Sequence, residues 1–304
     1  MTQYDYACSS DFYYGGWGVG EKADTGIRLL STMLTISVFS SWCTKGNISR
    51  LLLFFAHWLS GLIHLLAKTA LAEMVRFCWM RFNLIGIIKF IKFIEAVSFN
   101  MLAVTNLAIC INLALIIYSH RNVTRVRSLT SPKLVMVFLA LSVLVTVLAL
   151  PFWDEVLVSG AQVWVIGSTE GRKAWVIFNH VLLEFVSGFV MIIIVVFLVV
   201  CRRPELRQVW KLHRRIQYYL GLTLIAIAAD LTIGIGGVLT ALTPLDTDVI
   251  MLVAFSSRNI HIALDTMVLY CGLGTTRFNI ESSSTATSEA AVYHADNMPI
   301  VDAS

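Results

Sequence analysis

Charge is scarce in this chain. Asp, Glu, Lys and Arg make up 14% of its 304 residues, against about 25% in an ordinary soluble domain. Hydrophobic residues make up 57% and the mean hydropathy is +0.76, so there is too little polar surface to wrap a water-soluble core. A soluble enzyme and a disordered protein are excluded on that ground. The basic surplus is small as well. The net charge is +4 and the pI about 8.7, with Lys and Arg in short clusters between apolar runs, which excludes nucleic acid as a partner. The six cysteines follow neither a disulfide framework nor a zinc-ligand spacing. No repeat of fixed period is present, and the N-terminal stretch lacks the basic and apolar regions of a cleavable signal. No cofactor is implied, and the expectation is of a protein that is not an enzyme.

What the chain does have is apolar length. Seven segments approach or reach the roughly 20 residues a bilayer crossing needs: Ile27 to Cys43, Arg50 to Ala72, Ile94 to Tyr118, Leu134 to Trp153, Ala174 to Cys201, Tyr218 to Leu242, and Val249 to Leu273. The first is the weakest, being short and rich in Ser and Thr. The expected fold is an all-α membrane protein, a bundle of seven transmembrane helices over residues 27–273. An extracellular aromatic-rich segment (1–26) precedes it, and a disordered Ser/Thr-rich cytoplasmic tail (274–304) follows. Thr44-Lys45-Gly46-Asn47 and Thr243-Pro244-Leu245-Asp246 supply turn chemistry between segments. The run IGIIKFIKFIEAV reads as amphipathic, either lying on the interface or forming a long first half of the third helix with its lysines snorkelling.

Orientation follows Lys and Arg. With the N-terminus outside, 13 of the 23 Lys and Arg residues fall on the cytoplasmic side, nine outside, and Arg258 within a helix. The inner clusters include Arg121, Arg125 and Arg127, then Arg202, Arg203, Arg207, Lys211, Arg214 and Arg215, which suit an acidic partner surface or anionic lipid. Asp5, Asp11, Asp24, Asp154 and Asp246 fall outside. The sequons at Asn47 and Asn122 lie on the inner side, where glycans are not added, and are read as chance. Cys8 and Cys78 share the oxidising face, where they either pair or stay free. Cys43, Cys201 and Cys271 end helices on the inner side, where acylation is chemically open to them. A plasma-membrane location is expected.

Ionisable groups within the apolar segments carry the functional signal, since each costs about 2.5–3.5 kcal/mol to insert and normally faces the bundle interior. The second segment holds His57, Ser60 and His64 on one face, and the third holds Glu95, Asn100, Thr105, Asn106 and Asn112. The fifth holds Asn179, His180, Glu184 and Ser187. The sixth holds Asp230 ahead of a flexible Gly234-Ile235-Gly236-Gly237, and the seventh Arg258, His261 and Asp265. A guanidinium keeps its proton, so Arg258 needs a buried carboxylate, with Asp230 or Glu184 favoured. His57, Ser60, His64, Asn106, His180, Glu184, Asp230, Arg258, His261 and Asp265 are therefore the candidate cluster for an unknown small-molecule ligand.

Seven crossings, short loops, the basic inner loop CRRPELRQVWKLHRR and the Ser/Thr-rich tail resemble the G-protein-coupled receptor superfamily. That resemblance implies a heterotrimeric G protein as partner and a ligand in the polar cavity. It is one of layout: only Arg121 matches the acidic-Arg motif of the third helix. The seventh reads Leu264-Asp265-Thr266-Met267-Val268-Leu269-Tyr270 in place of Asn-Pro-x-x-Tyr. No Cys lies between Trp153 and Ala174. Separately, Ser60-x3-His64 and His261-x3-Asp265 resemble part of the pattern of alkaline ceramidases and adiponectin-receptor-like proteins. That alternative implies an intramembrane hydrolase with zinc on His64, His261 and Asp265. A proton-coupled transporter using Glu184, Asp230 and His261 is a further alternative. A retinal protein is excluded, because the seventh segment has no Lys for a Schiff base.

Terminal tags and glycosylation mapping check the layout. The N-terminus is expected outside, the C-terminus inside, and Asn47 and Asn122 unmodified; a glycan at Asn122 would invert the arrangement.

Overall fold

In a computed structural model of the chain, residues 19–44, 52–76, 85–118, 132–159, 162–204, 206–207, 214–242 and 247–274 are described. They contain the helices α1 (Val19–Thr44), α2 (Leu52–Arg76), α3 (Ile85–Tyr118), α4 (Pro132–Ala149), α5 (Glu170–Cys201), α6 (Arg214–Leu242) and α7 (Thr247–Gly274). Each of the seven apolar segments falls on one helix. Start signals are legible in two of them. Pro132 opens α4, where its missing N–H costs nothing. The Thr169 side chain caps α5 by accepting from the Arg172 N–H, with Glu170 in the first turn.

Five helices, α2 to α6, are long and apolar enough to cross a membrane. α1 and α7 do not meet that measure; each carries buried charge, Asp24 and Arg28 in one, Arg258 and Asp265 in the other. Each helix packs on its sequence neighbour, α7 returns to α1, and α3 also touches α5 and α6. The burial pattern is inverted relative to a water-soluble protein. His64, Glu95, Glu184, Asp230 and Arg258 are at most 1% exposed, whereas Met136, Leu144, Phe189, Ile193 and Val200 are 54–70% exposed. Hydrocarbon is the solvent for which this arrangement is stable.

Two boundaries move. α3 begins at Ile85, so the lysine-bearing run is the first part of a 34-residue helix, about 51 Å long at the standard rise. Its lysines turn inward: Lys89 Nζ donates to the Trp153 carbonyl at 2.6 Å and Lys92 Nζ lies 2.6 Å from Glu95. α1 begins at Val19, inside the stretch read as an extracellular segment, and Asp24 is buried.

The described residues are overwhelmingly helical, as expected, with one addition. The α4–α5 connection is an antiparallel hairpin, β1 (Glu155–Ser159) with β2 (Gln162–Ile166), in register from Glu155 opposite Ile166 to Ser159 opposite Gln162. Its β-branched residues suit a strand. Val156, Val163 and Val165 pack with Leu71, Met74, Ile88, Trp153 and Val176, laying the hairpin across the ends of α2 to α5. At its base Asp154 accepts from Arg172 at 2.8 Å and from the Ser168 hydroxyl at 3.1 Å. These hydrogen bonds, Arg172 first, hold the Asp154 carboxyl below its ordinary pKa. Their contribution is therefore present above the usual carboxylate range and lost as pH falls through the lowered value. Nor is the glycine run of α6 a break. It stays helical, and a Cβ on Gly234 would sit 2.8 Å from the Phe185 Cα. These glycines let α5 and α6 touch backbone to side chain, which brings Glu184 and Asp230 into reach of one partner.

Candidate functional site

The centre of the molecule is one arginine. From α7, Arg258 places Nη1 3.0 Å from Asp230 of α6 and Nη2 3.5 Å from Glu184 of α5, all three completely buried. Asn106 of α3 donates to Asp230 at 3.4 Å. The guanidinium carbon lies 4.8 Å from the centre of the Phe99 ring, a cation–π contact from α3. Four helices thus meet at a charge that cannot be neutralised by losing its proton.

Proton logic orders the next shell. Arg258 Nη1 lies 3.0 Å from His261 Nδ1. Guanidinium only donates, so Nδ1 is the acceptor and the neutral ring carries its proton on Nε2. That atom faces Asp265 Oδ2 at 2.6 Å. His57 of α2 brings Nε2 to the same oxygen at 3.0 Å, while its Nδ1 meets the Thr105 hydroxyl of α3 at 2.8 Å. The Thr105 hydroxyl also lies 2.8 Å from the Met101 carbonyl of its own helix, so its one proton serves either that carbonyl or His57 Nδ1. The series Glu184, Asp230, Arg258, His261, Asp265, His57 is one unbroken string of ionisable groups. A second cavity, about 230 Å³ counting all space inside it, lies beside its end at His57, Asp265, Asn106 and Thr223.

On the hairpin side, Phe99 is a hub. His180 of α5 stacks on it at 4.5 Å and 14°, and His64 lies against it at 5.4 Å. His64 Nδ1 is 3.4 Å from Glu95, which also holds Lys92. Beyond His180 opens a cavity with about 490 Å³ of space between its wall atoms and mouth. Lys92, Asn100, Thr146, Trp153, Trp164, Asn179 and His180 line it, along with Ala96, Ala149, Val176 and Ile177. Asn179 Nδ2 donates to the Val145 carbonyl, joining α5 to α4.

Of the ten candidate residues, His57, Asn106, Glu184, Asp230, Arg258, His261 and Asp265 form one network, and His180 and His64 join it through Phe99. Ser60 stands apart, donating to the Ala56 carbonyl of its own helix. His64, His261 and Asp265 do not come together as one ligand set. Among the described residues no group of three or more His, Cys, Asp or Glu is arranged to hold a metal ion. The larger cavity shares only His180 with the candidate list; Asn100 and Asn179 stood only among the polar residues of their segments, and Thr146, Trp153 and Trp164 went unremarked, because Asn, Thr and Trp in apolar runs carry no distinctive signal. Of the basic partner-binding set, Arg203 and Arg207 are exposed and Arg202 half-buried. Arg121, Arg125, Arg127 and Lys211, with Cys8, Cys78, Asn47 and Asn122, lie outside the described residues, as do the side chains of Arg214 and Arg215.

A second buried ion cluster ties α1 down. Asp24 accepts from Ser256 and Asn259 of α7 at 2.8 Å each, and lies 3.8 Å from Arg28 and from Lys68 of α2. Ser31 adds a hydrogen bond to the Asn259 carbonyl at 2.9 Å. The spacing Asp24-x3-Arg28 places both on one helix face. Compared with known proteins, the chain matches no family model and no curated protein.

Removing the Asp24 carboxylate should release α1. Asp24→Ala is expected to cost about 3–5 kcal/mol, as for a broken buried pair. Asp24→Asn, which keeps the oxygen facing Ser256 and Asn259, should cost roughly half that. Unfolding of the purified variants in one detergent checks this; equal losses would show that the charge alone matters and that the hydrogen bonds to Ser256 and Asn259 contribute nothing.

Proposed function

We propose that the chain is a divergent seven-helix receptor of the plasma membrane, N-terminus outside and C-terminus inside. Its small ligand sits in the hairpin-side cavity, and its basic inner loops, Arg202, Arg203 and Arg207 among them, meet a heterotrimeric G protein. One observation carries the reading. His180 lines the cavity and stacks on Phe99, whose ring also faces the Arg258 guanidinium. An occupant that displaces His180 therefore acts on the central ion cluster through a single intervening side chain. Such a cluster offers two packings, because the guanidinium has two carboxylates to choose between, and ligand binding biases one. The receptor-like layout of loops and tail supports the same reading.

A proton-coupled carrier is the second reading, favoured by the string of ionisable groups from Glu184 to His57. The two separate by experiment. In purified protein reconstituted with G proteins, a ligand that raises the unfolding temperature is expected to speed nucleotide exchange several-fold. Phe99→Leu should weaken that response more than it weakens binding. Ligand uptake driven by a pH gradient, with no nucleotide exchange, would contradict the receptor.

A further inference from the structure

The geometry points to the hairpin-side cavity as a recognition site for a small, neutral ring compound that carries both a hydrogen-bond donor and an acceptor, as a primary aromatic amide does. This deepens the receptor reading, on which it rests for its consequence though not for binding itself.

Two buried polar atoms define the chemistry. Asn100 of α3 is 1% exposed and donates its amide N–H to Thr146 at 3.0 Å. Its Oδ1 has no hydrogen-bond partner among the described residues. Trp153 is 9% exposed, and its backbone is held by Lys89 through the carbonyl; its indole N–H likewise has no partner among those residues. Both residues line the cavity. Buried polar groups are ordinarily paired, so an unpaired acceptor and donor on one cavity wall call for a ligand that supplies the converse pair.

Charge balance selects neutrality. Lys92 is the wall's cation, and Glu95 lies 2.6 Å from its ammonium. That pair is already matched, so a charged ligand would bring an uncompensated charge into a low-dielectric site. Of the other polar wall residues, Thr146 accepts from Asn100, Asn179 donates to the Val145 carbonyl and His180 stacks on Phe99; the remainder is apolar or aromatic. Trp164, with the Lys92 ammonium 5.4 Å from its ring centre, supplies a flat surface against which a ring can lie.

Four probes of one size isolate each feature: benzamide, benzoate, benzylamine and toluene. Equilibrium dialysis of the full chain in lipid nanodiscs should show saturable binding of benzamide, with the other three at least tenfold weaker, since a site built for hydrogen bonds rejects analogues that lack them. Trp153→Phe keeps the ring and removes the donor, and Asn100→Leu removes the acceptor. Each is expected to weaken benzamide about tenfold, and if Asn100→Leu does not fold, Trp153→Phe carries the test. No saturable benzamide binding, binding indifferent to Trp153→Phe, or equal or tighter binding of toluene, benzoate or benzylamine would overturn the proposal. Benzamide binding without nucleotide exchange would sustain the site and count against the receptor. Exchange driven by a ligand of other chemistry, with benzamide inert, would do the reverse.

Discussion

A fully buried guanidinium is the constraint around which this molecule is organised. Arg258 is fully buried on a helix whose other residues are largely apolar, and it cannot shed its charge. Stability therefore requires carboxylates from elsewhere in the chain, and α5 and α6 supply one each. From that requirement much else follows. Phe99 offers its ring face, and Asn106 steadies Asp230. His261 is held in one tautomer by the donor-only arginine and so hands a defined N–H to Asp265.

Meeting this requirement takes close helices. Gly188, Gly234 and Gly237 line the α5–α6 contact, where added Cβ atoms would press on Leu231, Phe185 and Val181. Small residues are the means by which membrane helices approach when no hydrophobic effect drives them together. α3 pays the geometric cost of serving every neighbour: it is long, mostly buried, and carries polar groups along its length. α4 and α5 instead face outward with apolar side chains. The hairpin then lies over one end, and its Trp164 and the adjoining Trp153 form part of a cavity wall.

Much of this was legible in the residues. Seven apolar runs fall on the seven helices, and charge inside such runs singled out Arg258, Asp230, Glu184, His261 and Asp265, because burying ionisable groups is costly enough to be rare. The hairpin was not legible. A short alternating run between two strong helical signals reads as a loop, and strand pairing depends on partners that composition does not name. The cavity residues Asn100, Thr146 and Asn179 were seen only as generic polar residues or not at all. Their role comes from three helices converging under the hairpin. Asp24 was placed outside, ahead of the first segment; α1 instead starts at Val19 and turns Asp24 toward Ser256 and Asn259 of α7. Similarly, the metal set His64, His261 and Asp265 fails because i, i+4 spacing fixes a face of one helix but not the register between helices.

The packing of these helices rests on the central pair being energetically coupled, not merely adjacent. The most direct measurement is a double-mutant cycle on unfolding free energy in a fixed lipid or detergent, using wild type, Arg258→Met, Asp230→Leu and the double replacement. The account predicts that the double replacement is more stable than Arg258→Met alone, with a coupling of about 2–3 kcal/mol. Strictly additive losses, with no recovery in the double replacement, would contradict it.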